Sequence, residues 1–188
     1  MLIKQGCNIG TIVALASMMI SAGVVASEAT QGYIQGHAVQ ECGIEDGNKR
    51  VIGQKESFYS PASNLNFRSR IDTGATRTSI HATNIEIEDF SPEAEDNIGK
   101  MVNFITANEK GETVHMRKKI THVRHIQNSL GSEMRYSIQL DLTLADREYS
   151  VEVNLKDRSL MSDKLLIGRN LLACNYVVDV SKATAFGV

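Results

Sequence analysis

Two neighbouring segments alternate regularly between apolar and polar residues, and this alternation constrains the fold more than any other feature of the sequence. Tyr136–Leu144 has an apolar residue at every second position, and Tyr149–Leu155 repeats the pattern. A period of two is typical of a β-strand that buries one face. Residues 145–148 between the segments predict a turn, so the two segments are expected to form a β-hairpin.

Further short strand-like segments, separated by turn signals, follow one another from Val51 onward. The predicted strands are Arg68–Ile71, Met101–Thr106, Lys119–Ile126, Lys164–Ile167 and Tyr176–Val180, and the predicted turns are Asn108–Gly111 and Gln127–Gly131. Ser91–Asn97 is acidic and predicts a solvated loop, and only Arg169–Ala173 is predicted to be helical. This many short strands predicts a mostly β domain, a small sandwich or closed barrel, with one short helix.

The first 26 residues are predicted to be a secretory signal peptide. Lys4 provides a short basic region, residues 9–22 are apolar or small, and Val24-Val25-Ala26 provides small residues at the usual cleavage spacing. An uncleaved membrane anchor is the alternative, because residues 9–26 form a stretch of about the length that spans a bilayer.

The predicted organisation is therefore a leader (1–26), an N-terminal extension (27–49) and a folded domain (50–188). Cleavage would leave an exported protein, periplasmic or secreted, without stable membrane insertion. The full chain has a formal net charge of −2, and the leader contributes one basic residue and no acid. This slightly acidic balance predicts no nucleic-acid partner.

Two cysteines, Cys42 and Cys174, remain after the predicted cleavage. In an oxidising compartment such a pair suggests a disulfide, which would tie the extension to the end of the folded domain. The alternative for Cys174, which lies in the apolar stretch 171–178, is a small buried residue. The sequence leaves both interpretations open.

The tripeptide Asp72-Thr73-Gly74 follows a predicted strand and is a candidate catalytic loop. The strand would deliver a carboxylate at its end, the Thr73 hydroxyl can lock the loop, and Gly74 permits a tight turn and the close approach of a second backbone. As a bare tripeptide it is more often a turn. Hydrolysis by aspartates takes two carboxylates, and the chain contains this tripeptide once.

Five motifs in a fixed order give the tripeptide its meaning. They are Ile52-Gly53-Gln54-Lys55-Glu56, Asp72-Thr73-Gly74-Ala75 continuing to Ile80-His81-Ala82, Asp157-Arg158-Ser159, Leu166-Ile167-Gly168-Arg169 and Val178-Asp179-Val180-Ser181. Together they resemble the retropepsins, the single-domain aspartic peptidases, and in particular a bacterial and archaeal branch labelled ATP-dependent zinc proteases. The resemblance covers about Val51–Lys182. Two segments depart from the family pattern, Thr76-Arg77-Thr78 and the turn Asn128–Gly131.

The resemblance implies a retropepsin-type barrel and a homodimer in which Asp72 of each chain lies near a two-fold axis. The two carboxylates would share one proton, so that the ionised one activates a water molecule and the protonated one supports the oxyanion. Thr73, Gly74 and Ala75 would support this loop.

The resemblance also implies structural roles. Gly168 and Arg169 would lie near the interface, where Arg169 would join the short helix to the interface by an ion pair. His81 follows the loop and is expected to be a hydrogen-bonded structural histidine, with orientation of the loop as the alternative.

The sequence supports neither zinc nor ATP dependence, because it contains neither H-E-x-x-H nor G-x-x-x-x-G-K-[ST]. His122 and His125 have a ligand spacing that suits a helix, but they fall in a predicted strand, where positions three apart face opposite sides. We therefore predict no metal and no cofactor. A serine or cysteine triad is not indicated either, since there is no G-x-S-x-G elbow.

The predicted function is an exported aspartic-type peptidase or amide hydrolase, acting as a homodimer on a peptide or an amide-linked amino-acid substrate. The alternative is a non-catalytic periplasmic binding module on the same fold.

Overall fold

The structure is a computed structural model that describes residues 49–128 and 131–187. The predicted leader and all but the last residue of the predicted extension lie outside the described residues. More than half of the described residues are in strands. The strands are β1 (Arg50–Ile52), β2 (Lys55–Ser60), β3 (Leu65–Ile71), β4 (Thr78–His81), β5 (Thr83–Ile87), β6 (Met101–Ala107), β7 (Thr113–Asn128), β8 (Gly131–Leu144), β9 (Arg147–Lys156), β10 (Leu165–Ile167) and β11 (Tyr176–Val178).

The helices are short. Helix α1, Arg169–Asn175, begins two residues after the end of β10, where the sequence predicts a helix, and a 3₁₀ helix occupies Ala94–Asn97. No helix in either described range has the length and apolar character needed to cross a membrane.

Nine strands form one sheet in the order β2-β3-β10-β4-β9-β8-β7-β6-β5. Strand β2 also meets β8 through the single pair Tyr59 and Thr143, so the first six strands run around the core as a partly closed ring. Strands β7, β6 and β5 extend the sheet beyond this ring. Strands β1 and β11 pair in parallel as a separate small sheet. The predicted mostly β fold of the retropepsin type is confirmed.

The predicted hairpin is confirmed as β8 and β9, which pair from Ser137 and Asn154 to Leu144 and Arg147. Its loop has only two residues, because β9 already begins at Arg147, and Ala145 takes a positive φ of 52°. The alternating apolar residues point into the core: Ile138, Leu140, Leu142, Leu144, Val151, Val153 and Leu155 are all buried.

The other predicted strands are present with shifted ends, whereas β1, β2, β4 and β5 are missing from the sequence prediction. Strand β4 is buried along its whole length because β10 and β9 flank it, so its sequence does not alternate. The prediction of a solvated loop at Ser91–Asn97 is confirmed in part, because its three acids are exposed, but the segment contains the 3₁₀ helix and buries Ala94 and Asn97. Asn97 is fully buried there, and its side-chain amide exchanges hydrogen bonds of 2.8 Å with the backbone of Ser91.

A buried carboxylate joins β2 to the C-terminal segment 182–187. Glu56 is fully buried, and its Oε1 accepts hydrogen bonds from the amides of Gly53 (2.9 Å) and Ala185 (2.6 Å). Its Oε2 accepts from the Thr184 hydroxyl (2.8 Å) and the Phe186 amide (3.0 Å). A Cβ on Gly53 would lie 2.7 Å from the Cα of Thr184, so only glycine fits at that position. The motif Ile52–Glu56 is therefore a clamp on the C-terminal segment.

We predict that Glu56→Gln lowers the free energy of unfolding by about 1–3 kcal/mol. The substitution replaces one acceptor oxygen by an NH₂ group, which then faces donors that have no other partner. Urea denaturation of the two proteins measures the effect. Glu148→Gln, at an exposed position on β9, is the control and should change stability by less than about 0.5 kcal/mol. Equal stability of Glu56→Gln and the wild type would contradict the clamp.

Candidate active site

Asp72 lies immediately after β3, at the start of a partly exposed loop. Its amide donates to the carbonyl of Ile167 (3.0 Å), which fixes the loop to β10. Its Oδ1 accepts hydrogen bonds from the amides of Gly74 (2.9 Å) and Ala75 (3.1 Å). These contacts orient the carboxylate, while Thr73 and Gly74 remain exposed at the tip of the loop.

The segment that connects β10 to α1 contacts the loop and stabilises it. The amide of Arg169 donates to the carbonyl of Ala75 (2.9 Å). A Cβ on Gly168 would lie 2.5 Å from the carbonyl carbon of Arg77, so a larger residue cannot occupy this position without moving the loop. The two motifs that contain Asp72 and Gly168 are therefore in direct backbone contact.

The side chain of Arg169 also contacts the loop. Its Nη1 donates to the carbonyls of Thr73 (3.0 Å) and Gly74 (2.9 Å). Within the described chain Arg169 thus links α1 to the loop by hydrogen bonds to the backbone. The ion pair expected at an interface stays a prediction.

Thr78 and Asn170 also stabilise the contact between the Asp72 loop and the Gly168 segment. Neither residue had a role predicted from the sequence. Oδ1 of Asn170 accepts from the amide (2.8 Å) and the hydroxyl (2.9 Å) of Thr78. The Thr78 hydroxyl oxygen accepts from the amide of Gly168 (3.2 Å), and Nδ2 of Asn170 donates to the carbonyl of Glu152 on β9 (2.8 Å). Asn170 could have been found from its place in the sequence, directly after Leu166–Arg169. A side-chain amide there can accept from one strand and donate to another.

His81 is buried at the end of β4 and contacts the segment after β9. Its Nδ1 accepts a hydrogen bond from the amide of Arg158 (3.0 Å), and its own amide donates to the carbonyl of Lys164 (2.8 Å). Burial lowers the pKa of the imidazole, the Lys164 and Arg158 charges lower it further, and Asp157 opposes them. His81 is therefore neutral at pH 7, with the proton on Nε2.

A cleft with a volume of about 310 Å³ lies between the start of β8 and the end of β9. Its walls are the start of β8 and the segment after β9, and its lining residues are Gly131, Ser132, Glu133, Arg135, Lys156, Asp157, Arg158 and Met161. The hairpin of β7 and β8, which carries the predicted turn Gln127–Gly131, thus contributes one side of the cleft. The other predicted turn, Asn108–Gly111, connects β6 to β7.

Three cations and two acids line the cleft, so that its cations outnumber its acids by one. Burial lowers the pKa of the Arg158 guanidinium, the charges of Asp163 and Asp72 raise it, and those of Arg135 and Arg70 lower it. The charge of Asp72 thus acts on Arg158, whereas the residues that line the cleft do not include those of the Asp72 loop. An arginine remains protonated at neutral pH despite such a shift.

One internal acid lies between two of these cations. Glu133 accepts hydrogen bonds from Nζ of Lys156 (2.7 and 2.8 Å) and from Nη2 of Arg135 (2.9 Å). Nε of Arg135 is buried and has no acceptor among the residues that the structure describes. A buried donor without an acceptor is costly, and this atom has almost no exposed surface through which a ligand could reach it.

The other sequence-predicted groups lie elsewhere. Cys174 is disulfide-bonded, but its partner lies outside the described residues, so the pairing with Cys42 stays a prediction. His122 and His125 lie on β7, where Nδ1 of His122 is 3.5 Å from Oε2 of Glu152. Within residues 49–128 and 131–187, no three His, Cys, Asp or Glu side chains come together as a potential metal site.

A strand that ends in an aspartate, and a distant glycine-containing segment that crosses the loop and leads into a short helix, are features of the aspartic peptidase fold. The family model described as RimB-like, the retropepsin-like aspartic endopeptidase RimB, matches residues 51–185. The chain belongs to this family, and the resemblance drawn from the sequence motifs is confirmed.

Curated relatives carry a different name. A probable alpha-L-glutamate ligase of Desulfotalea psychrophila is 28% identical over 145 residues, and one of Shewanella pealeana is 32% identical over 142 residues. The aligned region covers 76% and 74% of this chain but only 31% and 30% of those proteins. The chain thus spans about a third of the length of these relatives.

One solved structure has the same fold. It is Lpg0085, a protein of unknown function from Legionella pneumophila subsp. pneumophila str. Philadelphia 1, with a TM-score of 0.59 and 23% identity. The match covers 72% of this chain and 97% of that one. This likeness supports the fold alone.

We predict that stability falls as the pH drops below about 6.5, the pKa of histidine in an unfolded chain. Since the pKa of His81 is lowered in the folded state, its contribution is complete above that pH and is lost as the pH falls towards the folded pKa. Urea denaturation between pH 7.5 and pH 5 measures this loss.

The test variant is His81→Asn, whose Oδ1 can take the place of Nδ1 as an acceptor but does not titrate, and His115→Asn is its control. His81→Asn should lose most of the pH dependence in that window, whereas His115→Asn, at an exposed position on β7, should retain it. The same pH dependence in all three proteins would exclude His81 as the group responsible.

Proposed function

We propose that this chain is an aspartic-type amide hydrolase whose catalytic pair is formed by Asp72 from each of two copies. The observation that carries the proposal is the Asp72 loop. Its carboxylate is oriented by the Gly74 and Ala75 amides and its backbone is fixed by Gly168 and Arg169, in a chain of the retropepsin-like aspartic endopeptidase family.

A single carboxylate cannot act as acid and base in the same step, which is why a second copy is part of the proposal. Two carboxylates a few ångströms apart share one proton, and the titration belongs to the pair. The ionised aspartate takes a proton from water as the water oxygen attacks the amide carbonyl. The protonated aspartate donates a hydrogen bond to the developing oxyanion, and the amide nitrogen leaves after it is protonated. The exposed Thr73 and Gly74 at the loop tip support this pairing, because they leave room for the same loop of a partner.

We propose an acidic peptide, in particular one with amide-linked glutamates, as the substrate. The cleft presents Arg135, Lys156 and Arg158. Arginine binds carboxylates in a fixed, two-pronged geometry. The curated relatives that share this region are named probable alpha-L-glutamate ligases, which favours glutamate as the acidic residue.

We propose further that the protein acts outside the cytoplasm. The predicted leader 1–26 supports export, and the disulfide at Cys174 supports an oxidising compartment.

We predict that Asp72→Asn abolishes hydrolysis of a fluorogenic oligo-α-glutamate peptide while leaving the free energy of unfolding nearly unchanged. The variant also tests the pairing of two copies. When wild type and variant are co-refolded in equal amounts at constant total concentration, random pairing leaves about a quarter of the activity, whereas independent monomers retain about half.

Sedimentation of the chain from Ser27 onward measures its mass in solution and shows whether it is a monomer or a dimer in each experiment. A monomer at all concentrations, with peptide binding but no hydrolysis, would contradict the hydrolase and favour a binding module. Activity that persists in Asp72→Asn would exclude the aspartate pair.

We predict that the enzyme prefers an oligo-glutamate peptide to the matched oligo-glutamine peptide, and that Arg135→Gln lowers this preference about tenfold, the size expected for one charge-assisted hydrogen bond. The ratio of kcat/KM for the two peptides measures the preference. Arg117→Gln removes the same charge from the exposed pair with Glu88 and is the control. An unchanged ratio in Arg135→Gln would show that the cleft does not read the substrate charge through this residue.

A further inference from the structure

The segment 157–163, between β9 and β10, forms one wall of the cleft although it belongs to no strand or helix. The side chain of Leu160 at its tip is 97% exposed. A segment of this kind has few packed side chains to hold it, so its conformation depends on hydrogen bonds.

Lys164 supplies three of these bonds. Its Nζ donates to three backbone carbonyls of the segment, those of Arg158 (3.0 Å), Ser159 (2.8 Å) and Met161 (2.9 Å). An ammonium group has three donors, and all three are used. Lys164 therefore holds the segment in place of a neighbouring strand and has no donor left for a substrate.

Arg158 is held at three further points. Its amide donates to Nδ1 of His81 (3.0 Å), and its carbonyl accepts from the amide of Met161 (2.9 Å). Its Nε donates to the carbonyl of Asp163 (3.1 Å). Asp163 is itself buried and bound to Nε of Arg68 on β3 (2.9 Å), so the guanidinium of Arg158 is anchored to the ring of strands.

We propose that Lys164 and His81 are positioning residues, which hold Arg158 in the wall of the cleft as a preformed binding group for a carboxylate of the substrate. This inference rests on the proposed function, and it adds to it the residues that set substrate discrimination. A free arginine side chain loses rotamer freedom when it is fixed. Anchoring the backbone and Nε of Arg158 in advance removes part of that loss from the binding step. His81 and Lys164 are also joined directly, because the carbonyl of Lys164 accepts from the amide of His81 (2.8 Å).

The test uses Lys164→Met, which keeps the length of the side chain and removes the ammonium group. Hydrogen exchange of the peptide 157–163 is measured on the protein alone, so this result does not depend on any activity. We expect the amides of Ser159 and Met161 to exchange at least about tenfold faster in the variant. Without the hydrogen bonds from Lys164 to its carbonyls, the segment opens more often. Lys119→Met, at an exposed position on β7, is the matched control and should exchange as the wild type does. Lys164→Gln keeps two donors, and it serves if Lys164→Met does not fold.

The second measurement is discrimination between the oligo-glutamate and oligo-glutamine peptides. Lys164→Met should lower kcat/KM for the acidic peptide about tenfold, mainly through KM, and change that for the neutral peptide by less than about threefold. Arg158→Gln should give the same pattern. The double variant should have the same kcat/KM for the acidic peptide as Arg158→Gln alone, because both substitutions remove the same interaction with the substrate carboxylate.

The outcomes separate this proposal from the proposed function. If the wild type hydrolyses neither peptide, the proposed function fails, and calorimetric binding of the same two peptides replaces kcat/KM in the comparison. Unchanged exchange in Lys164→Met and Lys164→Gln would overturn the positioning role. Faster exchange with full discrimination, or equal losses for both peptides, would overturn it as well, since the order of the segment would then not serve recognition of the carboxylate.

Discussion

The backbone of Gly168 lies against the backbone of Arg77, and the placement of Asp72 depends on this contact. Because no side chain separates the two segments, the amide of Arg169 reaches the carbonyl of Ala75, and Asn170 reaches Thr78. Strand β10 can then lie between β3 and β4, parallel to one and antiparallel to the other. The carboxylate, the helix and the centre of the sheet are thus fixed by one close approach.

The part of the fold that could be predicted from the sequence is the part in which one face of a strand is buried. The hairpin of β8 and β9 alternates because its other face meets solvent, whereas β4 is buried on both sides and Thr78–His81 shows no period. Edge strand β5 buries little, so burial imposes no pattern on it either. The proximity of Asp72 and Gly168 could be predicted from the resemblance to a known family, but not from the spacing of the two residues in the sequence.

The cleft could not be predicted, because its charges come from separate elements. Arg135 is on β8 and Arg158 follows β9, and each is an ordinary arginine in the sequence. Only the antiparallel register of the two strands brings them to the same end of the sheet. Glu133 between Lys156 and Arg135 shows that the cleft already accommodates a carboxylate.

The contacts that hold the Asp72 loop link residues 90 to 96 positions apart in the chain. Closing such long loops is slow, and segments of this kind form their contacts late in folding. During synthesis, the loop would leave the ribosome well before Gly168, Arg169 and Asn170 are made. The nascent chain therefore carries its aspartate without the geometry that orients it, and the topology itself delays assembly of the Asp72 loop until the domain is nearly complete.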